Sequence, residues 1–276
     1  MKYRVLQNTH IGSRLINQDR TGYAYGRDRM ILVAADGMGG HPRGELAAQL
    51  AVESVLDEFA AWTREDGREV GEMLRAAFGS AHDAIHRCAE REHLWDLPRT
   101  TCTACVIVDG NALWRHVGDS RLYLVRDGGV LFVTRDHSGA SLLVEQGLIA
   151  PEDARRHPDR NFVYNCLGGD IDPEIETSEP VPLQPGDRLI LCSDGFWSPV
   201  ADEEIVAALA AEAPEAALHR LMDEAVGRAG IHADNLSYVA LLVAREETED
   251  MLDMDSLAPG EVVMRFPAEL ISATRG

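Results

Sequence analysis

No apolar run in the 276 residues approaches the roughly 20 that a bilayer-spanning helix needs. The longest, Met30 to Ala35 and Leu236 to Ala244, have the length of buried strands. Basic charge is scarce as well: 26 Lys+Arg stand against 46 Asp+Glu, a formal net charge of −20. Such a surface opposes sequence-blind binding to nucleic acid or to an anionic membrane, where Lys and Arg must displace counterions from phosphate. An anionic ligand would need positive charge supplied locally. The first residues, MKYRVLQNTHIGSR, have neither an apolar h-region nor a small-residue cleavage site, so a cytoplasmic chain is expected. Five scattered cysteines do not make a disulfide framework. Cys102 and Cys105 have C-x-x-C spacing but sit in a β-like run without a second pair, and they read as packing residues.

What is present is ordinary globular composition, 45% hydrophobic and 26% charged. Periodicity predicts strands at 2–8, 30–35, 102–108, 112–117, 121–126, 130–134, 187–193 and 236–244. It predicts helices at 44–62, 69–92, 202–212 and 214–229, with a short helix pair within 138–157. Asp109-Gly110, Gly118-Asp119 and Asp127-Gly128-Gly129 supply hairpin turns. Helix pairs lie between groups of antiparallel strands, the pattern of an α+β fold. One domain is expected over 1–245, with 246–276 an acidic connector and C-terminal tail.

Four aspartates stand at the ends of apolar strands, each followed by Gly, Ser or Asn: Asp36 in LVAADGMGGH, Asp119 in HVGDSRLYLV, Asp194 in LILCSDGFW and Asp234 in HADNLSYVALL. One Asp-Gly is an ordinary turn. Four suggest carboxylates gathered at one edge of stacked sheets, the donor set a hard divalent cation takes.

RLINQDR (14–20), VAADGMGGH (33–41), HVGDSRLYLVRDG (116–128), TRDHS (134–138), LILCSDGFW (189–197) and ADNLSYVALLV (233–243), in this order, resemble the protein phosphatase 2C family in its compact bacterial form. These are metal-dependent protein serine/threonine phosphatases. The resemblance covers about residues 4–244. It implies two stacked antiparallel β-sheets flanked by helix pairs, an α-β-β-α sandwich, with two Mn²⁺ or Mg²⁺ ions and a weaker third at one edge. It also implies hydrolysis of phosphoserine and phosphothreonine on proteins by a water that the two metals bridge.

Residue by residue, it makes Asp36 the bridging carboxylate, Gly37 a carbonyl donor, Asp194 and Asp234 further metal ligands, and Asp119 a ligand of the third ion. Asp19 would orient the water and Arg14 would hold the phosphate. His41 would protonate the leaving oxygen or shape its loop. The partner implied is a phosphorylated protein, the product of a serine/threonine kinase. A mobile flap is implied at about 138–168, whose Arg155, Arg156 and Arg160 are expected to attract acidic substrates. The chain has no C-x₅-R run and no strand-end D-x-D, consistent with a route lacking a covalent phosphoenzyme. A phosphoprotein-binding pseudophosphatase and a small-molecule phosphatase are the alternatives on the same fold.

His82 and His86 have the i, i+4 spacing of zinc ligands without the Glu of H-E-x-x-H, and read as a packed pair. His137 reads as a pin for the segment after the meander. One departure from the family pattern stands at Arg99-Thr100-Thr101, where a Gly is usual before the two threonines.

Overall fold

The computed structural model describes residues 1–63, 67–245 and 250–267. Side chains of a strand alternate between its two faces, and in β3 (Arg29–Asp36) that alternation divides the molecule. Ile31, Val33 and Ala35 enter one core, while Met30, Leu32 and Ala34 enter another. The strand is buried on both faces, which is why it reads as a continuous apolar run.

β3 belongs to a seven-stranded antiparallel sheet with β2 (Asp19–Tyr25), β4 (Cys102–Val108), β5 (Asn111–Val117), the two-residue strands β8 (Glu176–Thr177) and β9 (Val181–Pro182), and β12 (Val263–Arg265). The second sheet has the order β1-β11-β10-β6-β7, built from β1 (Tyr3–His10), β6 (Arg121–Arg126), β7 (Gly129–Val133), β10 (Arg188–Cys192) and β11 (Leu236–Val243). Met30, Leu32, Leu122, Leu124, Leu189, Leu191, Val239 and Leu241 form the layer between the sheets.

Helices close both outer faces. On the first sheet lie α1 (Gly44–Ala61) and α2 (Val70–Glu92). Ala47, Ala48, Ala51, Val55 and Phe59 recur at helical spacing on the buried side of α1, and Met73, Ala77, Phe78, Ala81 and Ile85 on that of α2. Completely buried Phe59 and Phe78 anchor this layer, each contributing about 1.5–3 kcal/mol by removal from water. Against the second sheet lie α5 (Asp202–Ala210) and α6 (Pro214–Ala229), through Ile205, Leu209, Leu218 and Met222. The result is the expected four-layer α-β-β-α sandwich. Cys102 and Cys105 differ by an odd number of residues along β4, so they project into different cores, and all five cysteines are free.

Three features depart from the sequence expectation. β2, DRTGYAY, carries few strong apolar residues, yet pairs along its whole length with β3. The segment after 245 does not hang free where it is described. Val263–Arg265 pairs with Tyr23–Tyr25, Leu252 N–H donates to the Tyr3 carbonyl, and Met264 and Phe266 pack on the helix-side core. Acidic composition suggested solvation, but a few apolar residues spaced among the charges suffice to cover the β2 edge. Glu246, Glu247 and Glu249 lie outside the described residues.

Third, residues 138–168 form α3 (Gly139–Glu145), α4 (Pro151–Ala154) and a 3₁₀ turn at Pro158–Asn161, tied down by Arg155. Its guanidinium donates to Asp202 at 2.6 Å and to the Val200 carbonyl at 3.0 Å. Arg155 is therefore an anchor of this segment, whereas the sequence reading gives it, with Arg156 and Arg160, the attraction of acidic substrates.

Candidate metal centre

Antiparallel register brings the strand ends together. Asp19 opens β2 and lies directly opposite Asp36, which closes β3. Cys192, at the end of β10, faces Arg121 at the start of β6 and Tyr238 near the start of β11. Asp194 follows the first of these, Asp119 precedes the second and Asp234 precedes the third. Sequence positions 19, 36, 119, 194 and 234 thus meet at one edge of the sandwich.

A cavity of about 270 Å³ opens there, lined by Asp36, Gly37, Asp119, Asp194 and Asp234, with Arg14, Gln18, Met38, Thr101, Asn161 and Val163. Arg14 is the one basic residue in that lining among the described residues; its guanidinium donates to Asp234 Oδ2 at 2.6 Å. Asp19 lies behind the cavity, completely buried.

Asp19, Asp36, Asp119 and Asp194 are perturbed by burial and by their neighbours. Burial pushes the Asp36 carboxyl well up, with Asp19, Asp194 and Asp119 adding repulsion. Burial also raises Asp119, aided by Asp194. Asp194 rises to about 6 through burial and the charge of Asp234. Asp19 rises to about 7 for the same first reason, although the Ser193 hydroxyl donates to its Oδ2 at 2.6 Å and stabilises the anion. Its other oxygen, Oδ1, is buried without a partner among the described residues. A polar atom so placed costs free energy unless something accepts or donates to it. Carboxylates this crowded, with one arginine among them, have the composition of a divalent-cation site, where the ion's charge would reverse the direction of every one of these shifts.

The backbone supports the same reading. A β-carbon at position 37 would lie 2.3 Å from the Gly44 carbonyl oxygen, so only glycine permits the close approach of this strand end to α1. Thr101 Oγ1 accepts from the Asp36 N–H at 3.0 Å, while the Thr101 N–H and the Thr100 hydroxyl both donate to the Asp36 carbonyl at 2.9 Å. The unusual Arg99 leaves that brace intact, since its guanidinium turns to Asp170 at 3.2 Å. Arg121 holds the Asp119 turn from below: it pairs with both oxygens of Asp136 at 2.7 and 2.8 Å and lies 3.5 Å from the centre of the Trp197 ring, whose Nε1–H donates to the Asp119 carbonyl.

His41 is not brought into the cavity lining. Its Nδ1 lies 2.9 Å from Asp96, whose carboxyl that contact holds below its usual range. The sequence reading assigns no role at the site to Ser193, Asn235, Thr101 or Asn161. The Asn235 side chain accepts from Gln18 N–H and donates to the Ile11 carbonyl, joining the Arg14 loop to Asp234. Ser193 and Asn235 each adjoin a singled-out aspartate, and that adjacency was the available signal.

A second grouping, His116, His137 and Glu176, is a hydrogen-bonded brace. His116 Nε2 donates to the Arg135 carbonyl at 2.8 Å, and His137 Nδ1 accepts from Gly118 N–H at 3.1 Å. Burial lowers His137 to about 4, so it is neutral near pH 7 and pins the meander to the following segment. His82 Nδ1 accepts from Gly168 N–H and His86 Nε2 lies 3.0 Å from the Gly169 carbonyl, so this pair holds the far end of the 138–168 segment.

The chain is 38% identical over 229 residues to the serine/threonine protein phosphatase PstP of Mycobacterium tuberculosis, a match spanning 81% of this chain and 41% of that protein. It is 31% identical over 243 residues to the protein phosphatase PhpP of Streptococcus pneumoniae, covering 87% of this chain and 96% of that protein. The crystal structure of the M. tuberculosis phosphatase PstP/Ppp superposes with a TM-score of 0.76 at 33% identity, over 89% of this chain and 100% of that one. The PstP catalytic domain in complex with two manganese ions superposes with a TM-score of 0.73 at 31% identity, over 88% and 99%. The profile described as Protein phosphatase 2C matches residues 6–230, and with the sandwich and its aspartate edge this makes the chain a member of the protein phosphatase 2C family.

Proposed function

We propose that this chain hydrolyses phosphoserine and phosphothreonine monoesters on proteins, using Mn²⁺ or Mg²⁺ held at the aspartate edge. The observation that carries the reading is the convergence of Asp19, Asp36, Asp119, Asp194 and Asp234 with Arg14 at a single cavity. Asp36 and the Gly37 carbonyl would hold the ions with Asp194 and Asp234, and Asp119 would serve a weaker third. When bound, such ions supply Lewis acidity toward phosphoryl oxygens and acidify a water for attack on phosphorus.

The chain's own residues do the rest. Arg14 turns from Asp234 to the phosphate, where its planar fork matches two oxygens. Asp19, fixed at Oδ2 by Ser193, presents Oδ1 as the acceptor that orients the attacking water. His41, fixed to Asp96, shapes the loop after Gly37. The physiological substrate is then a protein phosphorylated by a serine/threonine kinase, and five free thiols support a cytoplasmic setting. No helix among the described residues is long and apolar enough to cross a membrane.

The test is release of phosphate from a phosphothreonine peptide with Mn²⁺, with and without EDTA, beside sugar and nucleotide phosphates. Metal-dependent turnover favouring the peptide supports the reading. Absence of release, or preference for the small phosphates, contradicts it.

A further inference from the structure

The cavity is polar, but its rims are not. On one rim Leu15 is 99% exposed and Ile16 56%, immediately after Arg14, and Ile231 is 86% exposed. Their exposure is built in. Ser13 N–H donates to the Ala233 carbonyl at 2.9 Å, the Ser13 hydroxyl to the Gly230 carbonyl at 2.9 Å, and the Asn235 amide to the Ile11 carbonyl at 2.8 Å. These bonds, made by Ile11 and Ser13, stitch the stretch leading into Arg14, Leu15 and Ile16 to the 230–235 turn. On the other rim Phe162 is 64% exposed, between Asn161 and Val163, which both line the cavity. It too is fixed, since its carbonyl accepts from Gly139 N–H at 2.8 Å and Ser138 bridges to Val163. Large apolar side chains held out to solvent around a polar pocket are the mark of an interaction surface.

We propose that Leu15, Ile16 and Phe162 form a specificity rim that selects phosphorylated segments with apolar residues flanking the phosphorylated one. The inference rests on the proposed function, because a phosphate held by Arg14 and the aspartate edge puts the polypeptide on either side of it over these residues. The polar lining accepts the phosphate and little else. The rims then discriminate among sequences by burial of neighbouring apolar groups, at no change in the chemistry itself. The occupant is a flanking polypeptide segment because the rims continue the cavity: Leu15 adjoins Arg14, and Phe162 adjoins two lining residues.

Three phosphothreonine peptides test this, identical except for flanks of Leu, Val and Phe, of Ser and Gly, or of Arg and Lys, with p-nitrophenyl phosphate as a substrate too small to reach the rims. The wild-type chain with Mn²⁺ should favour the apolar peptide by about tenfold or more in kcat/KM over the Ser/Gly peptide, expressed in KM. Leu15→Ser with Ile16→Ser, and separately Phe162→Ser, should erase most of that preference while turnover of p-nitrophenyl phosphate and the Ser/Gly peptide stays within about twofold. Equal kcat/KM on apolar and Ser/Gly peptides, preference for the basic flanks that a net charge of −20 would attract, or a preference surviving in the variants overturns the rim alone. No turnover of any substrate overturns the functional reading and the rim with it.

Discussion

Asp19 and Asp36 are cross-strand partners, the first residue of β2 facing the last of β3. Like charges directly opposite one another destabilise a sheet, and here burial adds to the repulsion. A fold that retains this pair, with Asp119, Asp194 and Asp234 beside it, carries a local electrostatic strain that a bound divalent cation would relieve.

Without metal, stability should fall as pH rises. Asp19 and Asp194 have folded-state pKa values raised to about 7 and about 6, above the ordinary carboxyl range. The folded state then binds more protons than the unfolded one, so the penalty is absent below about pH 4 and grows through pH 6–7 as these groups are forced to ionise. Thermal melts of EDTA-treated protein between pH 5 and 8, compared with Mn²⁺-loaded protein, should show a gap in Tm that widens with pH. A gap independent of pH would show that the carboxylates are not coupled to the metal.

Asp36→Asn separates stability from activity. Removing one negative charge should raise the Tm of the metal-free protein at pH 8 and lower kcat by about 100-fold or more, beyond the range for lost outer partners of a metal ligand. Melts and Mn²⁺-dependent peptide assays on the same preparation check both halves. Wild-type kcat in this variant would remove Asp36 from the site.

Arg14→Ala should lower kcat/KM on a phosphopeptide by at least about tenfold, the effect of losing one charge-assisted hydrogen bond to phosphate. Arg14 also pairs with Asp234, so Arg14→Lys is the control: it keeps a charge near Asp234 but loses the fork. Kinetics unchanged in both variants would transfer the phosphate to another group.

The 138–168 segment should loosen when its anchor is cut. Arg155 pairs with Asp202, and both side chains are partly exposed, so Arg155→Ala should change Tm by little. Amide exchange in residues 151–162 should nevertheless speed up severalfold, because α4 buries none of its own residues. Exchange equal to wild type would mean that other contacts hold the segment.

Much of this molecule is legible in its sequence, for physical reasons that also mark the failures. β3, β10 and β11 are buried on both faces and read as apolar runs, and α1 and α2 show one apolar face each. β2 escapes because Gly22 and Thr21 pack against α1 and the neighbouring strands without large apolar groups to announce them. β12 escapes because three residues carry no period. At the site, Asp36, Asp119, Asp194 and Asp234 stand out as strand-end carboxylates. The hydroxyl of Ser193 and the amide of Asn235 do not, since their work depends on which strands become neighbours. The same holds for Arg155, whose partner lies 47 residues away, and for His41, which turns to Asp96.

If the aspartate edge is a metal centre, anomalous diffraction from crystals grown with Mn²⁺ will place the ions there. Two strong peaks should lie within coordinating distance of Asp36, shared with the Gly37 carbonyl, Asp194 and Asp234, and a weaker third beside Asp119, with the strong peaks lost in Asp36→Asn. Crystals that bind Mn²⁺ elsewhere, or leave these carboxylates without a peak, would contradict the account.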